Sequence, residues 1–394
     1  MILSVRARAL LLCLFVGFVW FGSIQHRDLF QTDEGRYAEI PREMVVTGDW
    51  ITPRLDGFKY FEKPILHYWI TAAIYKVAGQ HNWTARLWIA VAGFLLLGLT
   101  WYSGWRLFGA ATGYYAALML AGSFYFVFMG HFNTLDMGVT LFMSASLFAF
   151  LIAQERPEDH AHTLRWMLVA WAAAALALLT KGLEAVVIPG FVFVLYTLTQ
   201  RDWRAWRRLH VLPGLALFLA IGAPWFVAVS LKNRDFFHFF FVVQHFERYL
   251  TPIAHRYGAW WYFIPVLLLG MLPWLWQGLL ALWRGAAAVF SRDGGFNHAW
   301  FLWLWIAVIF VFFSYSDSKL ASYVLPLFPA LALLIGRELD VEKPHGIMAA
   351  LVLSLLLGIG CGVYGWRFLP HLVHKAVPAA LYAAFSPWVV AAGG

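Results

Sequence analysis

Of the 394 residues, 62% are hydrophobic and only 13% are charged, whereas a soluble domain carries about 25% charged residues. The chain therefore lacks the polar surface to face water on all sides. A formal net charge of +8 raises nucleic acid as a partner, but the cations are scattered between apolar runs. Without a basic patch that class is excluded, and membrane lipids with anionic or phosphorylated headgroups fit better.

Spans need roughly 20 mainly apolar residues. They are predicted near 7–24, 84–104, 110–130, 135–153, 164–180, 183–200, 210–231, 257–283, 298–314, 321–336 and 345–365, with a partial twelfth beginning near 376. The fold class is thus an all-α polytopic membrane protein. No small-residue cleavage site follows the first span, which reads as a retained anchor. Cys13 and Cys361 both lie in apolar runs, so no disulfide framework is indicated.

Residues 25–83 form a long polar stretch between the first two spans. Within 33–47, Tyr37, Ile40, Met44 and Val45 recur at helical spacing, which predicts a helix lying on the membrane surface. Pro41 is expected to bend it or to begin a second piece. Residues 65–79 are apolar but short for a crossing, and read as interfacial or re-entrant. With that parity the loops fall into two sets. One holds 105–109, 154–163, 201–209, 284–297 and 337–344. The other holds 25–83, 131–134, 180–182, 232–256, 314–320 and 366–375. Arg201, Arg204, Arg207 and Arg208 crowd one loop of the first set, which the positive-inside rule assigns to the cytoplasm.

The second set carries the unusual polar residues: Asp33, Glu34, the Glu62-Lys63-Pro64 triplet, Asp136, Lys181, His245, Glu247, Arg248, Asp317, Lys319 and Tyr323. Ionisable groups at membrane depth generally face protein or a water-filled cavity, so a polar cavity near the membrane surface is expected. Lys63, Lys181 and Arg248 suit phosphate oxygens. Neutralising a leaving phosphate stabilises the charge that develops as a glycosyl–phosphate bond breaks. A carboxylate such as Asp33 then orients an acceptor or takes its proton. Neither a Walker sequence nor a GxGxxG is present, which fits a lipid-bound donor. Each residue also has a plainer reading. Asp33 and Glu34 open a helix, where acidic residues serve as caps. Glu62 and Lys63 pair at an interface, and Lys181 snorkels to headgroups. His245, with Glu247 and Glu62, offers metal ligands, but the spacing is no zinc signature and a structural histidine is favoured.

Several strings carry a resemblance. They are Asp33-Glu34-Gly35-Arg36-Tyr37-Ala38-Glu39-Ile40, Gly48-Asp49-Trp50, Tyr60-Phe61-Glu62-Lys63-Pro64, His131-Phe132-Asn133-Thr134-Leu135-Asp136, Thr180-Lys181-Gly182 and Ser318-Lys319-Leu320-Ala321-Ser322-Tyr323. In this order they resemble the bacterial 4-amino-4-deoxy-L-arabinose (lipid A) transferases, which stand with the protein O-mannosyltransferases among the GT-C glycosyltransferases of family 39. The resemblance implies a GT-C fold with amphipathic juxtamembrane helices in the first periplasmic loop. It implies an inner-membrane enzyme with an undecaprenyl-phosphate sugar donor, inversion at the anomeric carbon and lipid A as acceptor. It makes Asp33, Glu34 and Asp136 the catalytic carboxylates, Asp33 positioning or deprotonating the acceptor and Asp136 holding the cations. Arg36 and Lys63 would bind donor phosphate, with Tyr60, Lys181, Arg248, Lys319 and Tyr323 around the same pocket. Glu62 and His245 are where a divalent metal ion would bind. Family members usually end in further helices and a soluble periplasmic domain, which this sequence is expected to lack. Transfer to protein or another envelope glycan stays open. A secondary transporter fits less well, because the charges gather at loops and no paired broken helices stand out.

Overall fold

Backbone amides inside a bilayer must be bonded within their own segment, so apolar runs become helices. The computed structural model of the protein describes residues 5–25, 27–30, 32–247, 258–290, 295–342 and 344–368, with positions 371, 386 and 389. After α1 (Val5–Gly22) comes a polar segment. It holds α2 (Asp33–Thr47), a hairpin of β1 (Arg54–Leu55) and β2 (Phe58–Lys59), and α3 (Leu66–Ala78). The bundle continues with α4 (Asn82–Phe108), α5 (Ala110–Gly122), α6 (Phe124–Gly130), α7 (Leu135–Ala153) and α8 (His160–Lys181). It is completed by α9 (Glu184–Gln200), α10 (Val211–Lys232), α11 (Phe263–Gly270), α12 (Leu275–Ala287), α13 (His298–Tyr315), α14 (Phe328–Glu342) and α15 (Pro344–Val363).

Among the described residues six helices are long and apolar enough to cross a membrane, or eight if each of two bent pairs is one span. The protein is a multi-pass membrane protein. The predicted twelfth span lies almost wholly outside the described residues. Helix α7 is central and almost wholly buried, packed along α8 and α4, while α5 lies against α4 and α14. Exposed Leu351, Leu355, Leu356 and Ile359 on α15 belong to a surface suited to lipid rather than water.

Two predicted spans, 110–130 and 257–283, are broken. The α5–α6 pair bends by 71° and the α11–α12 pair by 117°, against the expectation that no paired broken helices are present. At the first break Ser123 caps α6, its Oγ accepting from Phe126 N at 3.3 Å and donating to the Gly270 carbonyl at 2.7 Å. One hydroxyl thus satisfies backbone groups on both broken elements.

A second, smaller core lies over one end of the bundle. Tyr37, Ile40 and Met44 of α2 and Tyr68 and Ala72 of α3 pack with Tyr60 and Phe61 against Leu135, Leu179 and Trp225. The long polar segment is thereby docked on the ends of α7, α8 and α10. Trp225 Nε1 donates to the Ile51 carbonyl at 3.0 Å, Trp69 Nε1 to that of Trp50 at 2.7 Å, and Lys232 pairs with Asp49 at 2.9 Å. Helix α2 runs through Pro41 and stops at Gly48, whose φ of 72° suits a glycine C-cap. At 13 residues, α3 spans only about 20 Å, too short for a crossing.

Candidate active site

Five segments of the chain meet at one cavity of about 200 Å³: the start of α2, the loop before α3, the α6–α7 junction, and the ends of α8 and of the 314–320 loop. Asp33, Glu62 and Asp136 line it together with Arg36, Lys63 and Lys181. Three carboxylates therefore face three cations. Phe128, Phe132 and Tyr323 form the less polar part of the wall.

Asp136 and Lys181 are buried and paired, Nζ to Oδ1 at 2.7 Å. Lys181 also reaches Glu184 at 3.2 Å, and its ammonium lies 4.7 Å from the centre of the Tyr323 ring. Ser322 bonds the Asp136 carboxylate, and the Lys63 charge acts on it across the cavity. Two charges at the end of a span are thus held by each other and by a second carboxylate, Glu184, which is what makes their burial tolerable. Lys181 does not snorkel. Arg36 is held more loosely, 3.5 Å from Asp33 on the same helix face and 6.0 Å from the Tyr60 ring centre. Tyr60 stands behind the lining and donates to Glu62 at 3.1 Å. Burial, with the Glu62 charge beside it, pushes its phenol well above the ordinary value.

Glu34, expected among the catalytic carboxylates, points elsewhere and does not line the cavity. It is fully buried, Arg86 donates to both of its oxygens at 2.9 and 3.0 Å, and Arg27 forms a second ion pair with it. The backbone N–H groups of Phe30 and Asn133 complete the shell at 2.9 Å each. Burial alone would raise its pKa, but the two arginines and two amides hold it down to about 2. With every lone pair used and no face on the cavity, Glu34 ties α2 to α4 and to the α6–α7 loop. Lys319 also falls outside the lining: it is buried and its ammonium donates to the Ser316 carbonyl. His131 is held by the carbonyls of Val127 and Trp20, 2.7 Å from each ring nitrogen. Arg248 and the side chains of His245 and Glu247 lie outside the described residues.

Among the described residues, no three ligand-type side chains gather around Glu62. Such a trio, Glu39, Glu43 and Asp56, does occur, but none of the three lines the cavity. Glu39 is already paired with Arg42 and Glu43 accepts from the Gly57 amide. Sequence reasoning missed Glu184, Ser322, Arg27 and Arg86. Arg86 carried a usable signal, as a cation inside an apolar helix. Glu184 sits three residues after Lys181, a spacing that places both on one helical face.

The model of the dolichyl-phosphate-mannose-protein mannosyltransferase family matches residues 62–227. Two Proteus mirabilis proteins named undecaprenyl phosphate-alpha-4-amino-4-deoxy-L-arabinose arabinosyl transferase, 1 and 2, are each 34% identical to this chain, over 91% and 97% of it. The second match takes in 68% of that relative's own length. The chain belongs to this arabinosyl transferase family. The crystal structure of ArnT from Cupriavidus metallidurans bound to undecaprenyl phosphate superposes with a TM-score of 0.91, at 37% identity, over 99% of this chain and 70% of that one. Family membership and the GT-C fold therefore agree with the resemblance carried by the strings around Asp33, Lys63 and Tyr323. The chain spans 65% of the length of the first Proteus relative.

Proposed function

We propose that the protein is an inverting glycosyltransferase. It moves 4-amino-4-deoxy-L-arabinose from undecaprenyl phosphate to a phosphate of lipid A, at the periplasmic face of the bacterial inner membrane. The observation that carries this reading is the convergence of Arg36, Lys63 and Lys181 with Asp33 on one cavity, in a chain alike over 99% of its length to a transferase crystallised with undecaprenyl phosphate. The arginine-rich loop 201–209 lies at the other end of the bundle, which supports the periplasmic assignment.

In this mechanism an oxygen of the acceptor phosphate bonds to the anomeric carbon from the face opposite the donor. The bond to the undecaprenyl phosphate oxygen breaks, and its electron pair leaves with that phosphate. Lys63 and Arg36 take the developing charge. Lys181 is committed to Asp136 and Glu184, so it contributes a fixed positive field and Asp136 keeps it in place. An acceptor phosphate is already ionised, so Asp33 has no proton to remove. Its part is to aim the acceptor and the Arg36 fork. Tyr60 holds Glu62, and Tyr323 covers Lys181.

Mass spectrometry of lipid A tests this in a transferase-null strain that makes the aminoarabinose donor and carries this gene. Added aminoarabinose is expected with the wild type and is lost with Asp33→Ala and with Lys63→Ala. Unmodified lipid A from a folded, membrane-inserted wild type would refute the acceptor. Aminoarabinose or another sugar on protein or a different glycan in that strain would then point to the alternative acceptors.

A further inference from the structure

A second polar cavity lies at the opposite end of the bundle. Helix α4 begins beside Glu34, where Arg86 is bound, and ends at Phe108 after 27 residues, a length of about 40 Å. Phe108 is part of the wall of a cavity of about 470 Å³ between α4, α12, α13 and α14, which Arg284, Arg337, Glu338 and His298 also line. Neither the proposed donor nor the proposed acceptor reaction uses any of these groups.

Arg284 pairs with Glu338, which leaves the second guanidinium in excess. Arg337 is half-buried and its guanidinium lies 4.8 Å from the Phe108 ring centre. No described residue accepts a hydrogen bond or forms an ion pair with it. The Glu338 charge, already paired with Arg284, also acts on Arg337, but the Arg337 N–H donors have no hydrogen-bond acceptor among the described residues. The His298 ring meets the same Phe108 edge-on at 6.3 Å, and its Nε2 is buried without a hydrogen-bond partner. A half-desolvated guanidinium fork beside a second cation is the chemistry that takes a phosphate bidentately. The rim supplies the rest of the argument. Trp283 and Phe290 are 77% and 84% exposed beside Arg284 and Ala288, and Val341 is 74% exposed. Tryptophan and aliphatic side chains flanking arginine mark the headgroup level of a membrane, where free phosphate would meet an apolar border.

We propose that Arg337, with Arg284 and His298, binds the phosphodiester headgroup of an anionic membrane phospholipid at the face opposite the candidate active site. Native mass spectrometry of the purified protein tests it, with phosphatidylglycerol, phosphatidylcholine and inorganic phosphate as separate probes. Phosphatidylglycerol adducts are expected to outlast phosphatidylcholine adducts, and Arg337→Gln is expected to weaken them by ~tenfold with an unchanged melting temperature. Equal retention by Arg337→Gln would overturn the site, and inorganic phosphate binding as well as phosphatidylglycerol would overturn its lipid character. A photo-activatable phosphatidylglycerol on the wild type decides the matter should that variant not fold. Labelling of peptides around Arg284, His298 and Arg337 supports the proposal, and labelling confined to other peptides refutes it.

Discussion

At the scale of single residues, neighbouring carboxylates have opposite fates. Asp33 faces the cavity while Glu34, next in sequence, is enclosed by Arg27 and Arg86. Glu34→Gln leaves Arg86 buried without its counter-charge, and a loss of roughly 3 kcal/mol is expected. The sign with pH follows from a folded pKa of about 2 against an ordinary 4.5. The stabilisation is complete above about pH 4.5 and is lost as pH falls toward 2. The gap in melting temperature between wild type and Glu34→Gln should therefore be wide at pH 7 and clearly narrower at pH 3; a gap constant with pH would show that the carboxylate charge is not what matters. Asp136 and Lys181 pose a different test. Asp136→Asn and Lys181→Met should each destabilise the protein, because each strands a buried charge. The double variant should recover part of that loss, with a coupling of about 1–3 kcal/mol, and yet not recover aminoarabinose transfer. Recovery of transfer would mean that the pair serves folding alone.

At the scale of elements, close backbone approach replaces hydrophobic contrast, which is weak between helices in lipid. A Cβ on Gly113 of α5 would lie 2.5 Å from the Trp101 carbonyl of α4, and one on Gly336 of α14 would lie 2.6 Å from the Thr112 carbonyl. Both partners are backbone and cannot swing aside. Gly113→Ala is accordingly expected to cost about 1–3 kcal/mol by overpacking, read as a lower melting temperature, whereas Gly98→Ala, with nothing within 4 Å, should leave the melting temperature unchanged or raise it slightly, as alanine favours the helix. An equal loss at both positions would show that close backbone approach is not what sets the cost, since helix propensity favours alanine at each. The helices themselves were legible in the sequence, because apolar length alone dictates a span. Helix α2 was legible from the spacing of Tyr37, Ile40 and Met44, and α3 from its shortness. The two breaks were not. Ser123 and Gly122 look ordinary inside an apolar run, and what stabilises the bend is the Gly270 carbonyl, 147 residues away. The enclosure of Glu34 was hidden for the same reason, since its partner Arg86 comes from another helix 52 residues on.

At the scale of the whole molecule, the parity of crossings sorts polar residues into two faces, and the contacts follow that sorting. Asp33, Lys63, Asp136, Lys181 and Tyr323 meet at one end. At the other end Arg106 pairs with Glu155, Arg208 bonds Gln154 at 3.0 Å, and Thr163 bonds His210 at 2.9 Å. Counting α3 as a crossing would have separated Lys63 from Asp136, which the shared cavity forbids. The arrangement has a direct readout. Cys13 and Cys361 are free and exposed, so both would first become serine. Single thiols would then replace Lys59, exposed on the hairpin, and Arg204, exposed in the arginine-rich loop. A membrane-impermeant maleimide applied to intact cells should label one of the two, and labelling of the other should require a permeabilised inner membrane. Because the parity argument and the site geometry depend on the same count of crossings, labelling of both thiols from one side would break both together. Labelling from opposite sides, with position 59 reached in intact cells, would tie the cavity to the periplasm through residues that take no part in the chemistry.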